Sequence, residues 1–292
     1  MKIVIKTICT IVLSISALTC SSFVLAADKR EHPGLVRVGI DTIGIPYSYI
    51  ADSNNKPYTF YVDQPSSLKN DKNVSGFDVD LFNEIARIQN IKFVYKIDTF
   101  NNLLNRLESG DLDVVISGVT ITRERESKFL FTTPYLSIPM ALCIRKENED
   151  KYGSVEKIDG HVVCTKSNNT GTDFATEHLK YSTIKQYSSY VEALELVDFG
   201  LCAGTFTDAI VAQAYVDYAE DLNIKIIPLN NYVAQSIGIA VNKNRPTLLK
   251  KIQIGLDRVK NTGKIKELSL KYFHNLSYIH NPPTRVNTKS RE

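Results

Sequence analysis

Ser117-Gly118-Val119-Thr120-Ile121-Thr122-Arg123-Glu124-Arg125 follows directly on the apolar run Val114-Val115-Ile116. An apolar run that stops in small polar residues and an arginine reads as a buried strand whose carboxyl end opens into a site. In open α/β sheets, ligands bind at those strand ends. Here the end offers backbone groups, hydroxyls and a guanidinium, a set suited to a carboxylate. The same residues also fit a plain strand–turn–helix with a solvated arginine, so the choice rests on the rest of the chain.

Outward from this stretch, apolar runs alternate with amphipathic segments. Leu35 to Ile40 reads as a strand, and Asp78 to Gln89 as a helix with Val79, Phe82, Ile85, Ala86 and Ile88 at helical spacing. Ile91 to Ile97 reads as a strand, Phe100 to Ser109 as a helix ended by Gly110, and Asp113 to Ile116 as a further strand. The order recurs at Val162 to Thr165, Tyr190 to Val197 and Leu201 to Phe206, with a helix from Asp208. Such alternation predicts an α/β protein of parallel sheets flanked by helices. Ser137 to Lys146 and Val233 to Lys243 read as long apolar strands without tight turns, the form expected of two crossings between lobes. That division assigns residues 34–138 and 236–274 to a discontinuous lobe one and 139–235 to lobe two with its hinge strands. A helix from Pro246 to Asn261, with proline early and Gly263 just past its end, returns to lobe one. Residues 275–292 form a polar tail carrying Pro282-Pro283 and are expected to fray. Ala51 to Val74 reads as an extended loop with a hairpin at Tyr58 to Val62.

Residues 1–26 have the pattern of an export signal: Lys2 and Lys6, an apolar stretch from Ile8 to Leu18 too short to span a bilayer, and Val24-Leu25-Ala26 before a cut. This predicts a periplasmic mature chain. Cys20 offers a lipidated alternative, for which Leu18-Thr19-Cys20 is a poor match. Of 35 basic residues the signal takes two, leaving 33 against 32 acidic ones. A net charge so near zero argues against nucleic acid or an anionic membrane surface as a partner. Cys143, Cys164 and Cys202 remain after cleavage, each in an apolar setting without zinc-site spacing. Buried free thiols are the simplest reading. An oxidising compartment also permits one disulfide, with Cys164–Cys202 the pair if their strands are neighbours.

The chain contains no Gly-rich phosphate loop, no His-Glu-x-x-His pair and no Gly-x-Ser-x-Gly elbow, and its five histidines are scattered. Neither a metal nor a cofactor is called for. What recurs is polar residues at strand ends: Asp41, then Pro46-Tyr47-Ser48-Tyr49; Ser117, Thr120 and Arg125; Lys166 to Thr172; Thr207-Asp208. Each alone fits turn or cap chemistry, and Asp208 fits a helix cap. An arginine and an aspartate facing one cleft from opposite lobes would suit a zwitterion, since each ligand charge needs an opposite partner once desolvated.

These motifs resemble the family 3 extracellular solute-binding proteins, the polar amino-acid receptors of ABC importers. The resemblance runs through Val38-Gly39-Ile40-Asp41 with Pro46-Tyr47, Gly76-Phe77-Asp78-Val79-Asp80-Leu81, and Gly110-Asp111-Leu112-Asp113 leading into the Ser117–Arg125 stretch. It continues in Phe131-Thr132-Thr133-Pro134-Tyr135, Gly263-Lys264-Ile265 and Lys271-Tyr272-Phe273. It implies a type II two-lobed fold, a monomer that serves an inner-membrane permease, and an amino acid held between the lobes. It implies that Arg125 clamps the α-carboxylate, that Thr120 and Ser117 line the site, and that Gly118 offers backbone contacts. Asp208 would hold the α-ammonium, Asp41 would read the ligand side chain, and Tyr47 would line the cleft with its ring.

Three departures stand out. Gly44 occupies a position where the family commonly has a stacking aromatic, for which Tyr47 or Tyr49 would have to substitute. The lobe-two loop, usually Gly-Ser/Thr-Thr, reads Ser167-Asn168-Asn169-Thr170-Gly171-Thr172, in which Asn169 and Thr170 are the favoured contacts. Leu201-Cys202-Ala203-Gly204 replaces the family's acid-containing strand start. The expected ligand is a polar or basic amino acid. The alternative is a periplasmic cyclohexadienyl dehydratase on the same fold, with Asp173, Glu177 or His178 supplying acid–base chemistry.

Overall fold

The computed structural model describes residues 34–52, 57, 74–219, 222–273 and 275–280. The signal segment, the hairpin at Tyr58 to Val62 and residues 281–292 lie outside them.

Two sheets carry the fold. In the first, the strand Val36–Ile40 lies between Phe93–Ile97 and Val114–Val115, both parallel to it, with Val38 opposite Tyr95 on one side and Val114 on the other. The late strand Ala240–Asn242 adds antiparallel to Val114–Val115 and to Phe129–Phe131, completing five strands. In the second, Met140–Arg145 lies antiparallel between Thr205–Asp208 and Ile224–Pro228. The parallel pair Val162–Lys166 and Thr183–Tyr187 joins it through a bridge from Val163 to Gly204.

Between the sheets run two crossings. The sequence reading made each a single long strand; the structure breaks both. Leu136–Ile138 pairs antiparallel with Gln235–Ile237, and Pro139 and Gly238 then interrupt each run before the next strand begins. Proline has no N–H for a ladder and glycine favours a bend, so an apolar run does not guarantee a continuous strand. Residues 275–280, expected to fray, instead dock: His280 donates its N–H to the Ser137 carbonyl at 2.8 Å.

Helices cover the sheets along the faces their periodicity marks. The helix Phe77–Gln89 buries Phe77, Val79, Leu81, Phe82, Ile85 and Ala86, and Asp78 and Asp80 occupy its first turn where the dipole favours anions. Gly76 precedes it at φ +130°, and a Cβ there would lie 2.3 Å from the Tyr47 carbonyl oxygen. Only glycine permits that approach. The helices Phe100–Ser109 and Pro246–Asn261 have the bounds their caps predict.

Cys164 and Cys202 are bonded to each other, with Cα atoms 5.9 Å apart, and only Cys143 is a free thiol among the described residues. The simpler reading of three free thiols is therefore corrected. Strand pairing at Val163 and Gly204 brings the two neighbouring cysteines side by side. Burial pushes the Cys143 thiol up to about 12.

Candidate functional site

Four strand ends meet at one cleft of about 460 Å³, its open mouth included. Val36–Ile40 delivers Asp41, Val114–Val115 leads into Ser117 and Gly118, Val162–Lys166 ends at Lys166, and Thr205–Asp208 ends at Asp208. Asp41, Tyr47, Ser117, Gly118, Thr120, Arg125, Asn169, Thr170 and Asp208 all line this space, as do Gly44, Phe100, Lys166, Tyr190 and Val211.

Arg125 and Asp208 face the cleft from the two sheets. Arg125 sits in the first turn of the helix Arg123–Lys128, whose N-cap Thr122 accepts the Arg125 amide at 3.2 Å. Its guanidinium donates to the Thr120 carbonyl at 3.0 Å and lies 5.2 Å from the Phe100 ring centroid. It makes no ion pair with any described carboxylate, and burial pulls its pKa down. The arginine is held in place without a contact ion pair among the described residues, although the Asp173, Glu124 and Asp208 charges act on it.

Asp208 precedes the helix Ala209–Tyr218 but its side chain does not cap it. The carboxylate turns into the cleft, accepting from the Tyr47 hydroxyl at 3.2 Å and from the Gln235 amide. Burial raises its pKa to about 6, against the lowering effect of those hydrogen bonds and of the Arg125 charge. Gln235 also accepts from the Thr120 hydroxyl at 3.1 Å. A continuous chain of hydrogen bonds thus runs from Thr120 through Gln235 and Asp208 to Tyr47. Burial, then the Asp208 and Asp78 charges, push the Tyr47 hydroxyl well above its usual range, which keeps it a donor.

Several lining groups are committed to the protein itself. Ser117 Oγ accepts the Asp41 amide at 3.0 Å and lies 2.8 Å from Ser48 Oγ. The Gly118 amide, expected to face a ligand, donates instead to Asp78 at 2.6 Å, and Asp78 also accepts from Tyr135 at 2.7 Å. Burial lifts this carboxyl to about 7. Gly118 has φ +62°, and a Cβ there would lie 2.5 Å from the Tyr47 ring, so glycine is required twice over. Asn169 caps the helix Thr170–His178 through the Gly171 and Thr172 amides at 3.0 and 3.1 Å, and its amide nitrogen donates to Tyr190. Thr170 stands at the first helical position, where a backbone amide has no intrahelical acceptor.

Asp41 meets Lys166 across the cleft. Lys166 Nζ lies 3.6 Å from Asp41 Oδ2, with both side chains under a tenth exposed. The ammonium also stands 4.7 Å from the Tyr190 ring centroid and 5.6 Å from that of Phe100. Sequence reasoning placed Lys166 in a strand-end run without giving it a role, and it missed Phe100, Tyr190, Val211 and Gln235. Phe100 and Tyr190 join Tyr47 as the rings that line the cleft together with Gly44, whereas Tyr49 is buried outside that lining. Asp173, Glu177 and His178 do not line the cleft, and the His178 ring stacks on Phe174 with centroids 4.1 Å apart.

Two sheets joined by paired crossing strands, with a cleft at their strand ends, define the type II two-lobed periplasmic binding fold. The chain belongs to the bacterial extracellular solute-binding proteins, family 3, whose model matches residues 51–275. It is 26% identical over 268 residues to a probable histidine-binding protein of Neisseria gonorrhoeae, covering 88% of this chain and 94% of the relative. It is 28% identical over 213 residues to a putative ABC transporter arginine-binding protein 2 of Escherichia coli K12, covering 71% and 85%. Among solved structures, an ancestral arginine-binding protein bound to arginine superposes with a TM-score of 0.70 at 29% identity, covering 82% of this chain and 98% of that one.

Proposed function

We propose that this chain is the periplasmic substrate-binding component of an ABC amino-acid importer, holding one small zwitterionic amino acid of the polar or basic class. The observation that carries this is Arg125 and Asp208 facing one cleft from opposite sheets, with the guanidinium unpaired by any described carboxylate. Arg125 takes the α-carboxylate, assisted by Thr170 at its helix start, and Asp208 takes the α-ammonium beside Tyr47. Thr120 and Asp41 face the remainder of the ligand, while Ser117, Gly118 and Asn169 shape the walls. Residues 34–138 and 236–274 form one lobe and 139–235 the other, and closure of one on the other about the crossings buries the ligand. The closed monomer is then what an inner-membrane permease recognises. The relatives' histidine and arginine ligands support an amino acid as the solute. The relatives are solute-binding proteins, which supports a receptor over the dehydratase reading.

The test is thermal unfolding of protein stripped of co-purified ligand, against the twenty amino acids and prephenate. A ligand at a hundred times its Kd stabilises by about 2.7 kcal/mol, which is several degrees for a chain of this size. Arg125→Ala should remove that shift while the protein remains folded. A shift retained in the variant refutes the carboxylate role, and a shift with prephenate alone refutes the receptor.

A further inference from the structure

We infer that residues 275–280 form a strap across the hinge that holds the two lobes partly closed before any ligand arrives. This rests on the lobe closure proposed above and adds a connection beside the crossing strands.

The strap is rooted in lobe one. Phe273, which follows the helix Lys264–Tyr272, stacks on Phe77 with ring centroids 4.8 Å apart, and the Tyr272 hydroxyl donates to Asp80 at 2.6 Å. Its other end reaches the hinge. His280 donates to Ser137, which lies in Leu136–Ile138, the part of the first crossing that pairs with Gln235–Ile237. Between these two points the chain makes one turn, Leu276–Tyr278, started by the Asn275 side chain, which accepts the Ser277 amide at 3.1 Å.

The middle of the strap meets lobe two. Asn275 shares a small cavity with Gln213, Ala214 and Tyr218 of the helix Ala209–Tyr218, with Tyr272 and Phe273 across from them. Tyr278 and Ile279 are half-buried against the main apolar core. Burial raises the Tyr278 hydroxyl, an Asn275 hydrogen bond opposes this, and Cys143 and Asp217 raise it further. Both of those neighbours belong to lobe two, one in the strand Met140–Arg145 and one in the helix Ala209–Tyr218. From that same helix, Tyr215 donates to the Ile43 carbonyl of lobe one at 2.5 Å.

A chain terminus is poorly ordered unless something ties it down. Here the ties are in lobe one, in lobe two and at the hinge. Rotation of lobe two about the crossings leaves both ends of the strap in place, since one belongs to lobe one and the other lies at the axis. It draws the middle contacts apart and exposes apolar surface of Tyr278 and Ile279, which is unfavourable in water. The strap therefore shifts the empty protein toward the closed arrangement. Affinity rises with the share of molecules already in the competent state, so loss of the strap should weaken binding.

Pulsed electron paramagnetic resonance on the stripped mature protein tests this, with spin labels on Glu126→Cys in lobe one and Gln186→Cys in lobe two, both exposed. Cys143 is buried and the other two cysteines are bonded to each other, so the labels go where they are aimed. The unmodified chain length should give a shorter and a longer interlobe distance, with arginine, histidine or glutamine moving molecules to the shorter one. A chain ended at Phe273 should raise the long-to-short ratio of the empty protein at least threefold, whereas one ended at His280 should leave it unchanged. His280→Pro removes the N–H that reaches Ser137 without shortening the chain and should move the ratio the same way, which keeps the test valid if the shorter chain does not fold. If neither variant moves the ratio, or if the chain ended at His280 moves it as far as the one ended at Phe273, the strap is overturned while ligand-driven closure stands. A full-length protein with one distance that none of the three amino acids changes overturns closure and strap together.

Discussion

Lowering the pH from 7 to 5 should stabilise the empty protein, through Asp208 and Asp78, and weaken its grip on ligand, through Asp208. Burial raises this carboxyl from 3.8 to about 6. Between those values the folded chain binds a proton that the unfolded chain does not. The group's contribution to stability therefore falls as pH rises through that window and is level above it. The full shift of about two units corresponds to roughly 3 kcal/mol, of which about 1.4 kcal/mol is regained per unit below pH 6. Asp78, lifted to about 7, moves stability in the same direction. Ligand binding runs the other way, because an ammonium is held by the carboxylate and not by the acid. Below pH 6 the affinity should fall about tenfold per unit, so Kd at pH 5 is about ten times that at pH 7. Asp78 adds little to this trend, since its oxygens face Gly118 and Tyr135. Calorimetric Kd values from pH 8 to 5, beside urea unfolding of the empty protein, resolve the two trends. Asp208→Asn should bind weakly and lose the pH step. An affinity that stays constant or improves as pH falls through 6 would refute the assignment of Asp208 to the ammonium.

Gly118→Ala places a Cβ 2.5 Å from the Tyr47 ring at φ +62°. Left-handed backbone costs about 1–2 kcal/mol and overpacking about 1–3, so thermal unfolding should show a loss of roughly 5–15 °C. Replacing both Cys164 and Cys202 by serine opens a loop closed over a separation of 38 residues. Chain entropy puts the cost near 4 kcal/mol, measurable by urea unfolding, with an m-value that rises as the denatured chain loses its crosslink. Gln235→Leu removes a donor from Asp208 and an acceptor from Thr120. At about 1–3 kcal/mol for an unsatisfied buried group, calorimetry should show weaker ligand binding and an upward move of its pH midpoint.

The strand ends were legible because each is an apolar run that stops at polar residues, which is how Asp41, Ser117, Arg125 and Asp208 could be placed at one side of their sheets before any coordinates. Long helices such as Pro246–Asn261 were legible from their caps. What the chain does not announce is pairing across distance. Nothing local to Lys166 says that its ammonium meets a carboxylate 125 positions earlier. Phe100 and Tyr190 read as ordinary apolar positions near helix starts, since a ring that lines a cleft and one that fills a core look alike in sequence. Gln235 did leave a signal: a polar side chain in an apolar crossing strand, 5% exposed, has to find partners inside. Gly118 was read as a ligand contact, whereas its amide belongs to Asp78. The Gly76-Phe77-Asp78 block therefore supports the cleft from behind.

The contacts at the cleft divide into two kinds under the proposed closure. Ile121 donates its amide to the Ser236 carbonyl at 2.8 Å, and Gly238 donates to the Val119 carbonyl at 3.0 Å. The segment carrying Thr120 is thereby bonded along the crossing strand itself, next to the axis about which the lobes would turn. Points near a rotation axis move little, so the Thr120–Gln235 bond persists whether the cleft is open or closed. Tyr47 to Asp208, Lys166 to Asp41, and the Tyr215 hydroxyl to the Ile43 carbonyl at 2.5 Å join groups that lie away from that axis. These must part for ligand to enter. Opening therefore costs these three contacts, two of them at Asp208 and Asp41, the groups proposed to hold the ligand. A ligand that satisfies both restores on closure what opening removes. One that meets only Arg125 does not, which ties full closure to recognition of the whole zwitterion.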